Sequence, residues 1–135
     1  MTMLSNQIQD EIEAYLGQVP SWIGEISEPA AAHSWQLARD LQFEETELPN
    51  REKALVALGA AAAMGCQYCI HFHREEAKLE GVNTAGLAEA VNVAADIRYF
   101  STILHGAEVS LDDFVEETTE IVEYIQAQQA PAGAD

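Results

Sequence analysis

The spacing of the apolar residues constrains the fold of this chain more than any other feature. Alternation of apolar and polar residues is absent at any useful length, and so are runs rich in Val, Ile and Thr. Instead, Ile8, Ile12 and Leu16 repeat at intervals of four residues, as on one face of a helix. We therefore predict an all-α fold, a bundle of about six to seven helices that forms a single domain over residues 1–135.

The predicted helices begin and end at capping or breaking residues. Asn50 is expected to cap one helix, Gly81 to close another, and Ser110-Leu-Asp-Asp113 to form a variant of the capping box. Residues 130–135 are predicted to be a frayed tail. The helical segments cover approximately residues 5–16, a short turn at 21–27, then 29–43, 50–64, 66–80, 84–106 and 110–128.

Both cysteines of the chain lie in the motif Cys66-x-x-Cys69-x-x-x-His73. On an α-helix these three side chains fall within about 60° of one another. Two cysteines three residues apart across a helix N-terminus can approach within disulfide reach. The helix N-terminus favours the thiolate and so lowers the pKa of the nearest thiol, which is that of Cys66. His73 lies one turn after Cys69 and can accept its proton or stabilise its thiolate.

This arrangement predicts a redox-active dithiol with its own base. A peroxide would oxidise one thiolate to a sulfenic acid, and the second cysteine would resolve it to a disulfide. No organic cofactor or metal is needed for that chemistry.

Two other interpretations of the cysteine pair stay open. A zinc site would need a second half, and three residues from one regular helix cannot easily surround a tetrahedral ion. A structural pair is the other, because free cysteine packs well as a small hydrophobe. His71 lies about 140° from Cys66 on a helix, so we predict a packing or interface role for it.

Composition restricts the compartment and the partners. No apolar run approaches the roughly 18 residues of a membrane span, and the N-terminus has no basic or apolar signal region. We therefore expect a cytoplasmic protein with no membrane partner. Six basic residues against 23 acidic ones give a net charge of −17, which argues against nucleic-acid binding. The acids are spread along the chain, which favours a high-salt cytoplasm over a local docking face.

The stretch around the motif is similar to a known family. Its Ala-rich helix, its cysteine pair and the segments after them resemble the carboxymuconolactone decarboxylase superfamily, and more closely its alkylhydroperoxidase D (AhpD)-like branch. The resemblance extends over about residues 48–114 and is carried by REKALVALGAAAAMGCQYCIHFH at 51–73, EAKLEGVNT at 76–84, LAEAV at 87–91 and RYFST at 98–102.

The resemblance implies an all-α fold that assembles as a homotrimer or hexamer. It also implies a thiol-dependent peroxidase or disulfide reductase that acts on a hydroperoxide or disulfide and is recycled by a dithiol reductant. The family's nucleophilic and resolving cysteines correspond to Cys69 and Cys66, and its proton-relay histidine to His73. The lactone decarboxylases of the superfamily lack the cysteine pair, so its presence argues against decarboxylation.

Two departures from the family pattern concern the proton relay. The family's relay glutamate lies twelve residues before the first cysteine, where this chain has Ala54. Glu52 is about 200° away around a helix and is not an automatic replacement. Tyr68 stands where a histidine is common, and His105 is a further candidate that the fold could bring close. A weaker relay leaves a second interpretation open, a non-catalytic helical oligomer or redox sensor that retains the motif.

Overall fold

The computed structural model describes residues 4–131, and all regular secondary structure in that range is helical. The prediction of an all-α fold with about six to seven helices is confirmed. A 3₁₀ turn, Ser21–Glu25, and a π-helical segment, Ala38–Phe43, lie between the longer elements. The six α-helices are α1 (Asn6–Leu16), α2 (Glu28–Leu37), α3 (Asn50–Met64), α4 (Gln67–Leu79), α5 (Thr84–Gly106) and α6 (Leu111–Gln129).

Two predicted helix boundaries ahead of the cysteine motif are wrong. The helix expected over 29–43 is α-helical only to Leu37 and continues as the wider π-helix. The residue that precedes α3 is Pro49, and its successor Asn50 is the first helical residue rather than the cap. The Asn50 side chain instead donates a 3.0 Å hydrogen bond to the carbonyl of Phe43, which ties the π-helical segment to the start of α3. Of the predicted tail, residues 132–135 lie outside the described range.

Other boundaries agree with the sequence. Gly17, Gly65 and Gly81 each have a positive φ, the left-handed conformation that ends many helices and that glycine adopts without steric cost. Ser110 caps α6, and its hydroxyl accepts a 3.3 Å hydrogen bond from the backbone N–H of Asp113. Capping and breaking residues therefore located most of the helix ends.

The chain divides into two compact units, Met1–Asn92 and Val93–Asp135, and the boundary falls within α5. The first unit holds two groups of buried side chains. One joins α1, the 3₁₀ turn and α2 through Leu4, Ile8, Ile12, Ile23, Ala31 and Trp35. The other joins α3, α4 and the start of α5 through Ala54, Leu58, Ala77, Val82 and Leu87. The cysteine motif belongs to this first unit.

Lys53 binds the connection between α2 and α3, residues 38–49. Its ammonium group donates to the carbonyls of Leu41 and Glu44, both at 2.6 Å, and to the hydroxyl of Thr46 at 2.7 Å. Hydrogen bonds from a charged donor are stronger than neutral ones, so this contact holds the connection against α3. The connection includes Phe43, whose ring contacts Phe72 on α4, the helix of the cysteine motif.

The second unit contains the rest of α5 and all of α6. Every residue of α6 is exposed, although the helix carries large apolar side chains along its length. None of the helices within residues 4–131 is long and apolar enough to cross a bilayer.

Candidate active site

The cysteine pair lies at a sharp turn between α3 and α4. Gly65, with φ of 74°, ends α3, and the backbone N–H of Cys66 donates to the carbonyl of Ala61 at 3.1 Å. A Cβ at residue 65 would have no neighbour within 4 Å, so there is space for a side chain. The positive φ would nevertheless strain any residue with a Cβ at this position. This turn makes Cys66 the N-cap of α4 rather than its first helical residue.

Cys66 and Cys69 form a disulfide, with their Cα atoms 5.3 Å apart. The sulfur of Cys66 also accepts a 3.2 Å hydrogen bond from the backbone N–H of Cys69. Both residues are half-buried. In the reduced protein the same N–H would stabilise a thiolate on Cys66, as expected for a cysteine at a helix N-terminus.

His73 lies one turn beyond Cys69 on the same helix and is only 15% exposed. Its Nδ1 lies 3.3 Å from Oε1 of Glu76, whose side chain is 18% exposed. The ring of Phe72 packs against the imidazole edge-to-face, with the ring centres 5.2 Å apart. The imidazole therefore has one polar and one aromatic contact, both with residues of α4.

Sequence reasoning did not identify Glu76 as a site residue. The available signal was its position three residues after His73, a spacing that places two side chains on one helix face. The neighbouring Glu75 has the same spacing to Lys78 and forms a 2.7 Å ion pair with it. That hydrogen bond lowers the pKa of Glu75, and both side chains of the pair are about half exposed.

The position of the family's relay glutamate is closed to water. Ala54 is completely buried on α3, in the group that includes Leu58 and Ala77. The small apolar side chain at residue 54 packs helix against helix and offers no proton donor or acceptor. The expected acid is therefore absent from this position in the structure as well as in the sequence.

The three candidate replacements are placed as follows. Glu52 is exposed on α3, and Tyr68 is 79% exposed on the first turn of α4. Within the described part of the chain, the side chain of neither residue forms a hydrogen bond or an ion pair. His105 lies on α5 in the second unit, where its Nδ1 is 2.8 Å from the carbonyl oxygen of Ser101.

Two further predictions concern a metal site at the cysteine motif and the role of His71. Over residues 4–131, no group of three or more His, Cys, Asp or Glu side chains is arranged to hold a metal ion. His71 is exposed on α4, so it does not pack in the core, and an interface role for it stays a prediction.

An all-helical chain with a bonded cysteine pair at a helix start and a histidine one turn later defines a helical dithiol protein. The chain belongs to the carboxymuconolactone decarboxylase family, whose sequence model matches residues 29–112, well over half of it. This match confirms the resemblance found around the cysteine motif and extends it towards the N-terminus.

Two known proteins are similar to parts of the chain. Uncharacterized protein 4 in the cox locus of Paracoccus denitrificans is 33% identical over 63 residues, which cover 47% of this chain and 57% of that protein. The chain therefore spans little more than half the length of that relative. The crystal structure of the alkylhydroperoxidase AhpD core from Rhodospirillum rubrum matches with a TM-score of 0.70 at 21% identity. The match covers 81% of this chain and 83% of that one, which shows that the fold is AhpD-like.

Proposed function

We propose that the protein is a thiol-dependent peroxidase and disulfide oxidoreductase. The observation that carries the proposal is the bond between Cys66 and Cys69 at the N-terminus of α4, with His73 one turn away. Two half-buried sulfurs at bonding distance can exchange between dithiol and disulfide without moving the backbone far.

Cys69 is assigned the attacking role because His73 follows it by one turn and can take its proton. The thiolate attacks the terminal oxygen of a hydroperoxide, an S–O bond forms and the O–O bond breaks. The leaving oxygen takes the proton that His73 removed from Cys69 and departs as an alcohol. Cys69 is oxidised to a sulfenic acid while the peroxide is reduced.

Cys66 is assigned the resolving role because the helix N-terminus stabilises its thiolate. That thiolate attacks the sulfur of the sulfenic acid, so that the S–S bond forms and the S–O bond breaks. The hydroxide that leaves takes up a proton from solvent, equivalent to the one that the Cys66 thiol lost, and becomes water. A dithiol reductant then attacks the sulfur of Cys69, and Cys66 leaves as the better-stabilised thiolate. The reductant, a small molecule or a protein, is oxidised to its own disulfide and closes the cycle.

The test is the stoichiometry and rate of oxidation. Reduced protein mixed with tert-butyl hydroperoxide should lose two thiols per peroxide and gain one intramolecular disulfide, as measured by thiol titration and intact mass. We expect a rate at least about 100-fold above that of a small-molecule thiol, because a positioned base contributes roughly that much. A rate equal to that of a free thiol would contradict the proposal and would favour a structural or sensing role.

We also propose that the chain assembles with copies of itself as a homotrimer or hexamer. The proposal is supported by α6, which is exposed on all sides in the single chain and carries an apolar stripe at helical spacing. Exposed apolar surface of this extent marks an interaction site, and symmetric homo-oligomers are the commonest solution. The stripe consists of Leu111, Phe114, Val115, Ile121, Val122 and Ile125.

Light scattering in buffers of low and high salt tests the assembly. The wild-type chain should have three or six times the mass of the monomer, and Ile121→Asp should shift it towards the monomer. Ala127→Asp is the matched control, because Ala127 is also exposed on α6 and the substitution adds the same charge on the face opposite the stripe. A monomeric wild-type chain, or equal effects of the two variants, would contradict this assignment.

A further inference from the structure

We propose that Glu76 is the positioning residue for His73, so that the acid of the proton relay comes from α4 and not from α3. Its carboxylate accepts a hydrogen bond from Nδ1–H of the imidazole, and Nε2 is left without a proton to act as the base. The inference rests on the proposed dithiol function and adds a residue to it.

The contact between the two side chains is specific and sheltered. Nδ1 and Oε1 are 3.3 Å apart, and the two side chains are 15% and 18% exposed. Water competes poorly for groups at that level of burial, so the hydrogen bond is stronger than the same contact on the surface. Because both residues lie on one helix three positions apart, the backbone keeps the pair in register.

Aromatic packing fixes the orientation of the imidazole further. Phe72 meets His73 edge-to-face, and Phe43 of the π-helical segment packs on Phe72 with ring centres 6.1 Å apart. The ring of His73 is thus held by an aromatic contact as well as at Nδ1. An imidazole held in this way presents one defined nitrogen to its reaction partner, which is what a general base requires.

The other charged groups of the packed elements are engaged elsewhere or exposed. On α4, Glu75 is bonded to Lys78. On α3, Lys53 binds the connection that precedes the helix, while Arg51 and Glu52 are exposed. Within residues 4–131, Glu76 is therefore the carboxylate that the structure bonds to His73.

The same pairing explains how the chain dispenses with an acid at residue 54. Ala54 is completely buried on α3, in the group of side chains that packs α3 against α4, so that position contributes packing only. A carboxylate supplied from α4 needs no space between the helices. Glu76, which lies on the same helix as His73, takes over the function of the missing side chain.

The proton path follows from this geometry. The proton of the Cys69 thiol moves to Nε2 of His73, and the Glu76 carboxylate stabilises the resulting imidazolium through Nδ1–H. When the O–O bond of the hydroperoxide breaks, the proton passes from Nε2 to the leaving oxygen, which departs as an alcohol. The imidazole returns to its starting protonation state, and Glu76 remains a carboxylate throughout.

Glu76→Ala tests the proposal, with Glu75→Ala as the matched control. Both variants remove one carboxylate from adjacent positions of α4, and alanine is a strong helix former. We expect Glu76→Ala to slow oxidation of Cys69 by tert-butyl hydroperoxide about 10-fold or more, and Glu75→Ala to stay within about twofold. Glu76→Gln keeps an acceptor oxygen without the charge and should fall between Glu76→Ala and the wild type.

The nitrogen resonances of His73 provide a readout that a merely structural role would not move. In reduced wild-type protein, ¹⁵N NMR should show the proton on Nδ1, and Glu76→Ala should shift it towards the Nε2–H form that free imidazole side chains prefer. A wild-type His73 already in the Nε2–H form, or an unchanged oxidation rate in Glu76→Ala, would overturn the inference alone. An unreactive wild type that still carries the proton on Nδ1 would instead overturn the proposed function.

Discussion

Cys69→Ser should lower the rate of hydroperoxide turnover by a factor of at least about 10³, because it removes the attacking sulfur and serine is a far weaker nucleophile. Cys66→Ser should have a different consequence. Its Cys69 should still react with one equivalent of hydroperoxide but should stop at the sulfenic acid, which dimedone traps as a stable adduct. Intact mass spectrometry after a single addition of peroxide distinguishes the two outcomes.

The two cysteine variants serve as matched controls for each other. Each loses one thiol and the disulfide, and the closed loop contains so few residues that its loss costs little chain entropy. Circular dichroism should therefore show equal helix content in both. Turnover retained in Cys69→Ser, or dimedone trapping in Cys69→Ser but not in Cys66→Ser, would exchange the roles assigned to the two sulfurs.

Local sequence signals predicted the elements that position the site. The left-handed glycines at 65 and 81 mark the ends of α3 and α4. Cys69 and His73 lie one turn apart on α4, as their spacing predicts, whereas Cys66 is the N-cap of that helix. These features depend on a few neighbouring residues, which is why the sequence alone could locate them.

Features that depend on tertiary contacts were beyond the reach of spacing rules. The spacing of Glu76 to His73 is visible in the sequence, but the burial of the pair is not. Both of these side chains are less than 20% exposed, whereas Glu75 and Lys78, at the same spacing, are about half exposed. The π-helical segment was likewise missed, because it is held by Asn50 and Lys53 from the following helix. Periodicity identifies the face of a helix, but it does not identify what that face meets.

Leu58→Ala should destabilise the first unit more than any other single truncation near the site, by about 3 kcal/mol. Leu58 is completely buried in the group that packs α3 against α4. The substitution removes buried apolar surface and leaves a cavity that close-packed neighbours fill only in part. Urea unfolding followed by circular dichroism should show a lower midpoint with an unchanged slope.

Val56→Ala is the control, since Val56 lies on the same helix but is 64% exposed and should change stability by no more than about 0.5 kcal/mol. The comparison also tests how the fold supports the chemistry. A helix as short as α4 is marginal in water without tertiary packing, so its N-terminus stabilises a thiolate only while it rests on α3. At a urea concentration between the two midpoints, Leu58→Ala should therefore lose fast thiol reactivity while Val56→Ala keeps it. Equal midpoints for the two variants, or fast thiols that survive unfolding of α4, would show that the reactivity of the cysteine pair does not depend on this packing.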